Sequence, residues 1–277
     1  MIDNNQLSHA VVTKKDRPLI RWAGSKTRIL NVLESHGPTR FNNYIEPFCG
    51  SLSLFLRIKP ASSIVGDINS ELINFYEQVK VFPERISELI HEMPRTKDEY
   101  YRVRGLDVEQ LSVLERSVRF FFLNRHCFNG VYRTNKSGKF NVPFGSKLSE
   151  VPSLDEIVSF SRFIQNTIFC NSDFEKTISS SGVEDFIYLD PPYAGTLAKD
   201  RGEYGVGSFK ELDISRLGAV LREASSRGSK VLLSYADIEP IRKEFGDWNI
   251  HQIVVGRSVS GFARGRKQVC EVLITNY

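Results

Sequence analysis

Phe186-Ile187-Tyr188-Leu189-Asp190-Pro191-Pro192-Tyr193 is the stretch whose reading decides the fold. Four apolar residues in a row read as a short hydrophobic strand. An acid and two prolines then stop it, because proline cannot donate to a ladder. In an open parallel sheet, ligands sit outside the carboxyl ends of the strands, so Asp190 falls where chemistry collects. Working outward, strand-like runs occur at Tyr44–Phe48, Ser63–Asp67, Thr167–Cys170, Asp185–Leu189 and Lys230–Tyr235. Between the first of them lie helical patterns at Ser51–Ile58 and from Asn69, a capping residue, through Val79. Two last runs, Trp248–Val255 and Gln268–Thr275, flank a Gly- and Arg-rich loop and read as a hairpin.

This strand-helix alternation predicts an α/β domain with a mostly parallel sheet, built from both ends of the chain, 1–76 and 153–277. Residues 77–152 interrupt it. From Pro83 to about His126 the pattern is helical throughout, so the insertion is expected to be a smaller, mainly helical domain.

Of 277 residues, 41% are hydrophobic and 25% charged, enough for a full core. Lys and Arg number 37 against 33 Asp and Glu, a small excess that selects no partner alone. Its clustering is more informative: Lys14, Lys15, Arg17, Arg21, Lys26 and Arg28 near one end, Arg257, Arg264, Arg266 and Lys267 near the other. Cys49, Cys127, Cys170 and Cys270 are scattered and suggest neither a disulfide framework nor a zinc site. The opening residues MIDNNQ carry no signal-like pattern, and no apolar run is long enough to span a bilayer. A cytoplasmic protein with reduced thiols, no membrane association and no metal is expected.

Three strand ends are chemically loaded: Glu46-Pro-Phe-Cys-Gly50, Asp67 and Asp190-Pro-Pro-Tyr193. Gly50 lets the backbone approach a ligand, and Asp67 is placed to accept from ribose hydroxyls. A dinucleotide oxidoreductase would share this pair, but the G-x-G-x-x-G turn that cradles a pyrophosphate is absent. The last motif suits an exocyclic amine. Such an amine is a poor nucleophile because its lone pair is delocalised into the ring. Acceptors aimed at both N–H groups draw the lone pair out, and the Asp190 carboxylate with the Pro191 carbonyl supplies two, their direction fixed by Pro191 and Pro192. Tyr193 offers a ring on which a flipped base stacks.

The chain resembles the Dam-type DNA adenine-N6 methyltransferases of the D12 class, in which a cofactor motif precedes a recognition insertion and then the catalytic motif. The resemblance rests on Arg21-Trp-Ala-Gly-Ser-Lys26, similar to the family's K-W-A-G-G-K, and on Tyr44-Ile-Glu-Pro-Phe-Cys-Gly50 with Asp67-Ile-Asn-Ser-Glu-Leu-Ile73. It rests further on Asn129-Gly-Val-Tyr-Arg133 with Phe140-Asn-Val-Pro-Phe-Gly145, and on Asp190-Pro-Pro-Tyr193. It implies a Rossmann-like S-adenosylmethionine-dependent methyltransferase sheet with an inserted, mainly helical target-recognition domain. It also implies that Trp22, Ala23, Gly24, Lys26, Glu46, Phe48, Gly50, Asp67, Ile68 and Asp190 surround S-adenosylmethionine, with Asp173 and Phe174 meeting its adenine ring. The sulfonium activates the transferred carbon, so no metal is implied. Two departures stand out: Ser25 replaces a glycine of the first motif, and Leu52 the second glycine of F-x-G-x-G.

Double-stranded DNA is the implied partner. Asn129 to Gly145, with Arg133, Lys136 and Lys139 around a turn at Asn135–Gly138, reads as a β-hairpin able to enter a groove. There Arg133 would hold a guanine, and Val131 and Pro143 would meet a thymine methyl. Arg21 with the N-terminal cluster and the loop carrying Arg264, Arg266 and Lys267 would take phosphates. Residues Ala194–Phe209, rich in glycine, read as a lid, shorter than the family's and therefore weakening GATC as the assumed target.

Overall fold

A computed structural model describes residues 17–135, 137–193, 209–256 and 268–277. Lys14, Lys15, Lys136, Arg257, Arg264, Arg266, Lys267 and residues 194–208 lie outside these.

The strands are β1 (Tyr44–Glu46), β2 (Ser63–Asp67), β3 (Thr167–Asn171), β4 (Phe186–Leu189), β5 (Lys230–Ala236), β6 (Asn249–Gly256) and β7 (Gln268–Thr275). They form one sheet in the order β3-β2-β1-β4-β5-β7-β6. β1 to β5 pair in parallel, while β7 runs antiparallel to both β5 and β6. The chain steps outward from β1 through β2 to β3, then returns to place β4 on the other flank of β1. The strand order therefore reverses between β1 and β4, the position at which an open α/β sheet leaves a crevice for a ligand.

Ten α-helices lie in the described residues: α1 (Leu30–His36), α2 (Ser53–Ile58), α3 (Ser70–Val81), α4 (Pro83–Glu92), α5 (Lys97–Arg104), α6 (Val113–His126), α7 (Leu154–Phe163), α8 (Phe174–Ser179), α9 (Glu211–Ser226) and α10 (Glu239–Glu244). Alternation along each strand divides the core. Tyr44, Phe186, Tyr188 and Leu232 face one apolar layer with α1 to α7. Ile45, Ile187, Leu189, Val231 and Leu233 face the other, against α8, α9 and α10. Both faces are covered, and this is why FIYL carries no polar alternation.

Local chemistry sets the helix starts. The Asn69 side chain accepts from the N–H of Glu71 and Leu72 at 3.1 and 3.2 Å, opening α3 where the sequence reading put it. Reciprocal Ser–Glu capping opens α6 (Ser112 with Glu115) and α7 (Ser153 with Glu156). The continuous helical pattern expected from Pro83 to His126 is three helices. It breaks after Glu92 and after Arg104, where Gly105 caps α5. β1 stops at Glu46, two residues before the expected end, because Pro47 cannot continue the ladder. The expected hairpin between Asn129 and Gly145 exists as two isolated bridges, Thr134 with Phe140 and Cys127 with Phe144, rather than as regular strands. Its turn is the expected one, with Gly138 N donating to Asn135 O at 2.9 Å.

α2 begins two residues later than expected, after Leu52, which sits in the left-handed region at φ 58° and ψ 34° with its side chain fully buried. That conformation costs a leucine roughly 1–2 kcal/mol, whereas removing a buried leucine side chain costs about 2–5 kcal/mol. Packing therefore outweighs strain. Leu52→Gly is expected to lower the denaturant midpoint of unfolding, and a rise would mean that backbone strain dominates at this turn.

Candidate active site

Three carboxylates line the carboxyl edge of adjacent strands: Asp190 just past β4, Glu46 ending β1 and Asp67 ending β2. The reversal between β1 and β4 sets Asp190 beside Glu46, and parallel pairing adds Asp67. Each has its own partners.

Asp190 is held on one oxygen. Lys26 Nζ donates to its Oδ1 at 2.7 Å, and the Ser234 hydroxyl of β5 donates to the same oxygen at 3.0 Å. Lys26 also donates to the Tyr193 hydroxyl at 3.2 Å and stands 5.2 Å from the centre of that ring. On its remaining side lies Glu271 of β7, 3.8 Å away. Lys26 is 9% exposed, Glu271 2% and Asp190 19%, so the carboxylate of Asp190 is the member of the group that faces outward. Burial pushes the Asp190 carboxyl above the usual aspartate range. Lys26 pulls it back, Glu271 pushes it further up and Ser234 pulls it down.

Glu46 is buried and accepts from the Tyr44 hydroxyl at 2.9 Å; burial raises its carboxyl well above the ordinary value, against that hydrogen bond. Asp67 accepts from Asn69 N at 2.9 Å and Gly50 N at 3.4 Å. Burial still lifts it to about 6, because those two bonds offset only part of the desolvation. Ile68 beside it is 58% exposed, an apolar face open to a flat ring.

Gly50 has φ 44°, and a Cβ there would stand 2.7 Å from Cδ1 of Trp22. The glycine is thus required twice, by its backbone conformation and by the indole packed against it. Trp22 in turn stacks on Tyr132, with ring centroids 5.9 Å apart. Arg21 is clamped through its backbone: its N–H donates to Asn124 Oδ1 at 2.9 Å and its carbonyl accepts from Asn124 Nδ2 at 2.7 Å. Gly24 has φ 81°, and Ala23 lies between it and Trp22.

Ser25 and Leu52, the two departures from the family pattern, lie close together. Ser25 Oγ is 2.9 Å from Ser53 Oγ, and Ser51 Oγ is 3.0 Å from Ser53 Oγ, so hydroxyls tie the first motif to the start of α2. Asp173 caps α8, accepting from Glu175 N at 3.0 Å, and pairs with Arg216 of α9. The Arg216 guanidinium lies 4.2 Å from the Phe174 ring centre, and Phe174 packs 5.5 Å from Phe48.

Between α6 and α7, Arg133 Nε donates to Asn141 Oδ1 at 2.8 Å, which orients its guanidinium. Asn129, Lys139 and Pro143 are exposed, and Val131 is half-buried. Sequence reasoning missed Ser234, Glu271, Asn124, Tyr132 and Arg216. For two of them a signal was present: Glu271 in Val-Cys-Glu-Val-Leu-Ile-Thr275 and Asn124 after Phe-Phe-Phe-Leu are polar groups inside apolar runs, and a buried polar group requires a partner.

The chain matches the family model of the D12 class N6 adenine-specific DNA methyltransferase over residues 22–259. It is 32% identical to the type II methyltransferase M1.LlaDCHI of Lactococcus lactis subsp. cremoris, over 94% of this chain and 95% of that protein. It is also 32% identical to the retron Ec67 DNA adenine methylase of Escherichia coli (92% and 90%), and 31% identical to a DNA adenine methylase of Vibrio cholerae (94% and 96%). The chain belongs to the D12 class of N6 adenine-specific DNA methyltransferases, and it is an enzyme that methylates adenine in DNA. Among the described residues, no helix is long and apolar enough to cross a membrane.

A carboxyl whose value in the fold is about 6, above an unfolded value near 4, costs stability when ionised. Stability from Asp67 therefore rises as pH falls from about 7 towards about 4, and is lost on the way back up. Asp67→Asn removes that charge but keeps an acceptor for Gly50 and Asn69. It should raise the unfolding midpoint at pH 7.5, flatten its dependence on pH over this range and weaken binding of the methyl donor. Unfolding curves at pH 7.5 and 5.5 check the first two; a variant no more stable than the parent at pH 7.5 removes the assigned cost.

Proposed function

We propose that this enzyme moves the methyl group of S-adenosylmethionine to N6 of an adenine flipped out of duplex DNA, with GATC as the first target to test. The observation that carries the reading is the Asp190 carboxylate at the reversal point of the sheet: its Oδ1 is taken by Lys26 and Ser234, and the same Lys26 reaches the Tyr193 hydroxyl. Oδ2 is then the oxygen that accepts from the amine.

The residues at the edge fit the donor. A row of carboxylates suits a cation, Asp67 offers an acceptor for ribose hydroxyls, and exposed Ile68 offers an apolar face for a purine. Trp22, Ala23, Gly24, Lys26, Glu46, Phe48 and Gly50 line the turn beside it, with Asp173 and Phe174 at its far end. When bound, S-adenosylmethionine supplies an electrophilic methyl group on a sulfonium centre. Asp190 Oδ2 and the Pro191 carbonyl accept the two N6 hydrogens, which turns the nitrogen lone pair out of the ring plane. Tyr193 stacks on the base and holds it, a contact on the order of 1–3 kcal/mol. Positioning and electrostatics carry the rate.

Recognition belongs to residues 77–152 in this reading. Arg133, oriented by Asn141, holds guanine O6 and N7, Val131 and Pro143 meet a thymine methyl, and Asn129 and Lys139 lie on the same segment. Arg21, Arg264, Arg266 and Lys267 take phosphates.

Asp190→Ala should lower methyl transfer by at least ~10²-fold with the fold intact, and Tyr193→Ala should fall far more than Tyr193→Phe because stacking needs the ring. Sequencing that detects N6-methyladenine in DNA from cells expressing each variant measures this; parental methylation by Asp190→Ala ends the assignment. Arg133→Ala should relax the target at one base pair, worth roughly 1–3 kcal/mol of discrimination. Methylation of a randomised DNA library tests it: if the sequence preference is kept and only the rate falls, Arg133 binds phosphate.

A further inference from the structure

We propose that Ser234 and Glu271 are positioning residues for methyl transfer: Ser234 fixes the rotation of the Asp190 carboxylate directly, and Glu271 does so by holding Lys26 in place. The proposal rests on the reading of Asp190 as the acceptor for N6.

A carboxylate can accept at either oxygen, and one free to rotate would present either to the amine. Here two donors from different parts of the chain converge on Oδ1, Lys26 Nζ at 2.7 Å and Ser234 Oγ at 3.0 Å. The Lys26 bond has the length of a strong charge-assisted bond, and the Ser234 bond is longer and weaker. Ser234 is fully buried in β5, and its single hydroxyl hydrogen, given to Asp190 Oδ1, is not also given to the Leu189 carbonyl 3.3 Å away. Lys26 is different. It comes from a loop before α1, on a side chain with four rotatable bonds, and beyond Asp190 and the Tyr193 hydroxyl a further attraction narrows where its ammonium sits.

Glu271 does this. It stands on β7 at the register position of Ala236, the last residue of β5, so the antiparallel β7 begins at the same sheet edge where β4 and β5 end. Its Oε2 lies 3.8 Å from Nζ, beyond hydrogen-bond reach, so it attracts the ammonium by charge from the side away from Asp190. Lys26 Nζ stays nearer Asp190 Oδ1, at 2.7 Å, so Glu271 limits the directions open to the ammonium without displacing it from Asp190.

Among the described residues, the groups facing Asp190 are Lys26, Tyr193, Glu46 of β1, Tyr188 of β4, Ser234 of β5 and Glu271 of β7. Of these, Ser234 favours the ionised carboxylate by hydrogen bonding, and Glu271 disfavours it by like charge. The two substitutions that test the proposal therefore move the Asp190 titration in opposite directions. Ser234→Ala should raise its midpoint and shift the acid limb of kcat/KM to higher pH; Glu271→Gln should lower both.

The experiment compares the full chain with Ser234→Ala, Ser234→Thr, Glu271→Gln and Asp190→Asn. Carboxyl 13C chemical shifts of the ligand-free protein report the Asp190 titration, and steady-state methylation of a duplex oligonucleotide reports kcat and KM. Expected are losses of roughly 10–100-fold in kcat for Ser234→Ala and Glu271→Gln, with KM for DNA and the unfolding midpoint near the parent's. The Asp190 midpoint should move oppositely in these two variants, and Ser234→Thr, which keeps the hydroxyl, should recover most of the rate. Parental kcat in both, with Asp190→Asn inactive, overturns the positioning role and leaves the acceptor reading standing. A kcat loss accompanied by a fall in unfolding midpoint, with the Asp190 titration unmoved, also overturns it in favour of a structural role. Parental activity in Asp190→Asn overturns the acceptor reading itself, and the inference with it.

Discussion

The ion pair between Lys26 and Asp190 is the contact on which the arrangement of the site depends. Lys26 belongs to the segment before the first strand, and Asp190 follows a strand 164 residues later in the chain. At the edge of the sheet an unpaired carboxylate or ammonium would face a large desolvation cost, so each makes the position of the other tolerable. The pair closes the N-terminal segment over the point where the strand order reverses, and everything else at the edge is disposed around it. Glu46 and Tyr44 lie on one side, Ser234 and Glu271 on the other, and the Tyr193 ring lies against the ammonium.

A second set of contacts ties α6 and the residues after it to that same segment. Asn124 of α6 satisfies both backbone groups of Arg21, Gly130 packs against the Arg21 side chain, and Tyr132 stacks on Trp22. Trp22 itself rests on Gly50 of the turn after β1. Residues 21–22 are therefore held between α6 with the residues that follow it and the turn after β1. Arg133 follows Tyr132 in the chain, next to the ring that stacks on Trp22. Such a contact transmits position rather than charge, since both rings are apolar over most of their surface.

The two departures from the family pattern have a common physical sense. Ser25 places a hydroxyl where the family has hydrogen, and that hydroxyl finds Ser53 across the site, with Ser51 joining both. Leu52, in a left-handed conformation that a glycine would take without cost, turns its side chain into the core instead of leaving it at the surface. The turn after Gly50 is thus held from above by hydroxyls and from below by apolar packing.

The sequence by itself determined the strands, the chemistry at their ends and the α/β class of the fold. Hydrophobic runs such as FIYL, the Asn69 cap, and the Asp190-Pro-Pro-Tyr193 stop are local features, and local sterics and hydrogen bonding set them whatever surrounds them. The breaks within 83–126, the early end of β1 at Pro47 and the bridged form of the Asn129–Gly145 segment were less legible, because element ends depend on which neighbour takes the last hydrogen bonds. Only the tertiary structure decided the partners of Asp190. Lys26 reads in sequence as a cofactor-side cation, Ser234 as a small residue in a strand and Glu271 as an acid in an apolar run. They meet because β4 returns beside β1 and β7 enters antiparallel, bringing residues from four distant segments to one sheet edge. Long-range charge pairing of this kind leaves no periodicity in the chain, since it is set by strand order and direction.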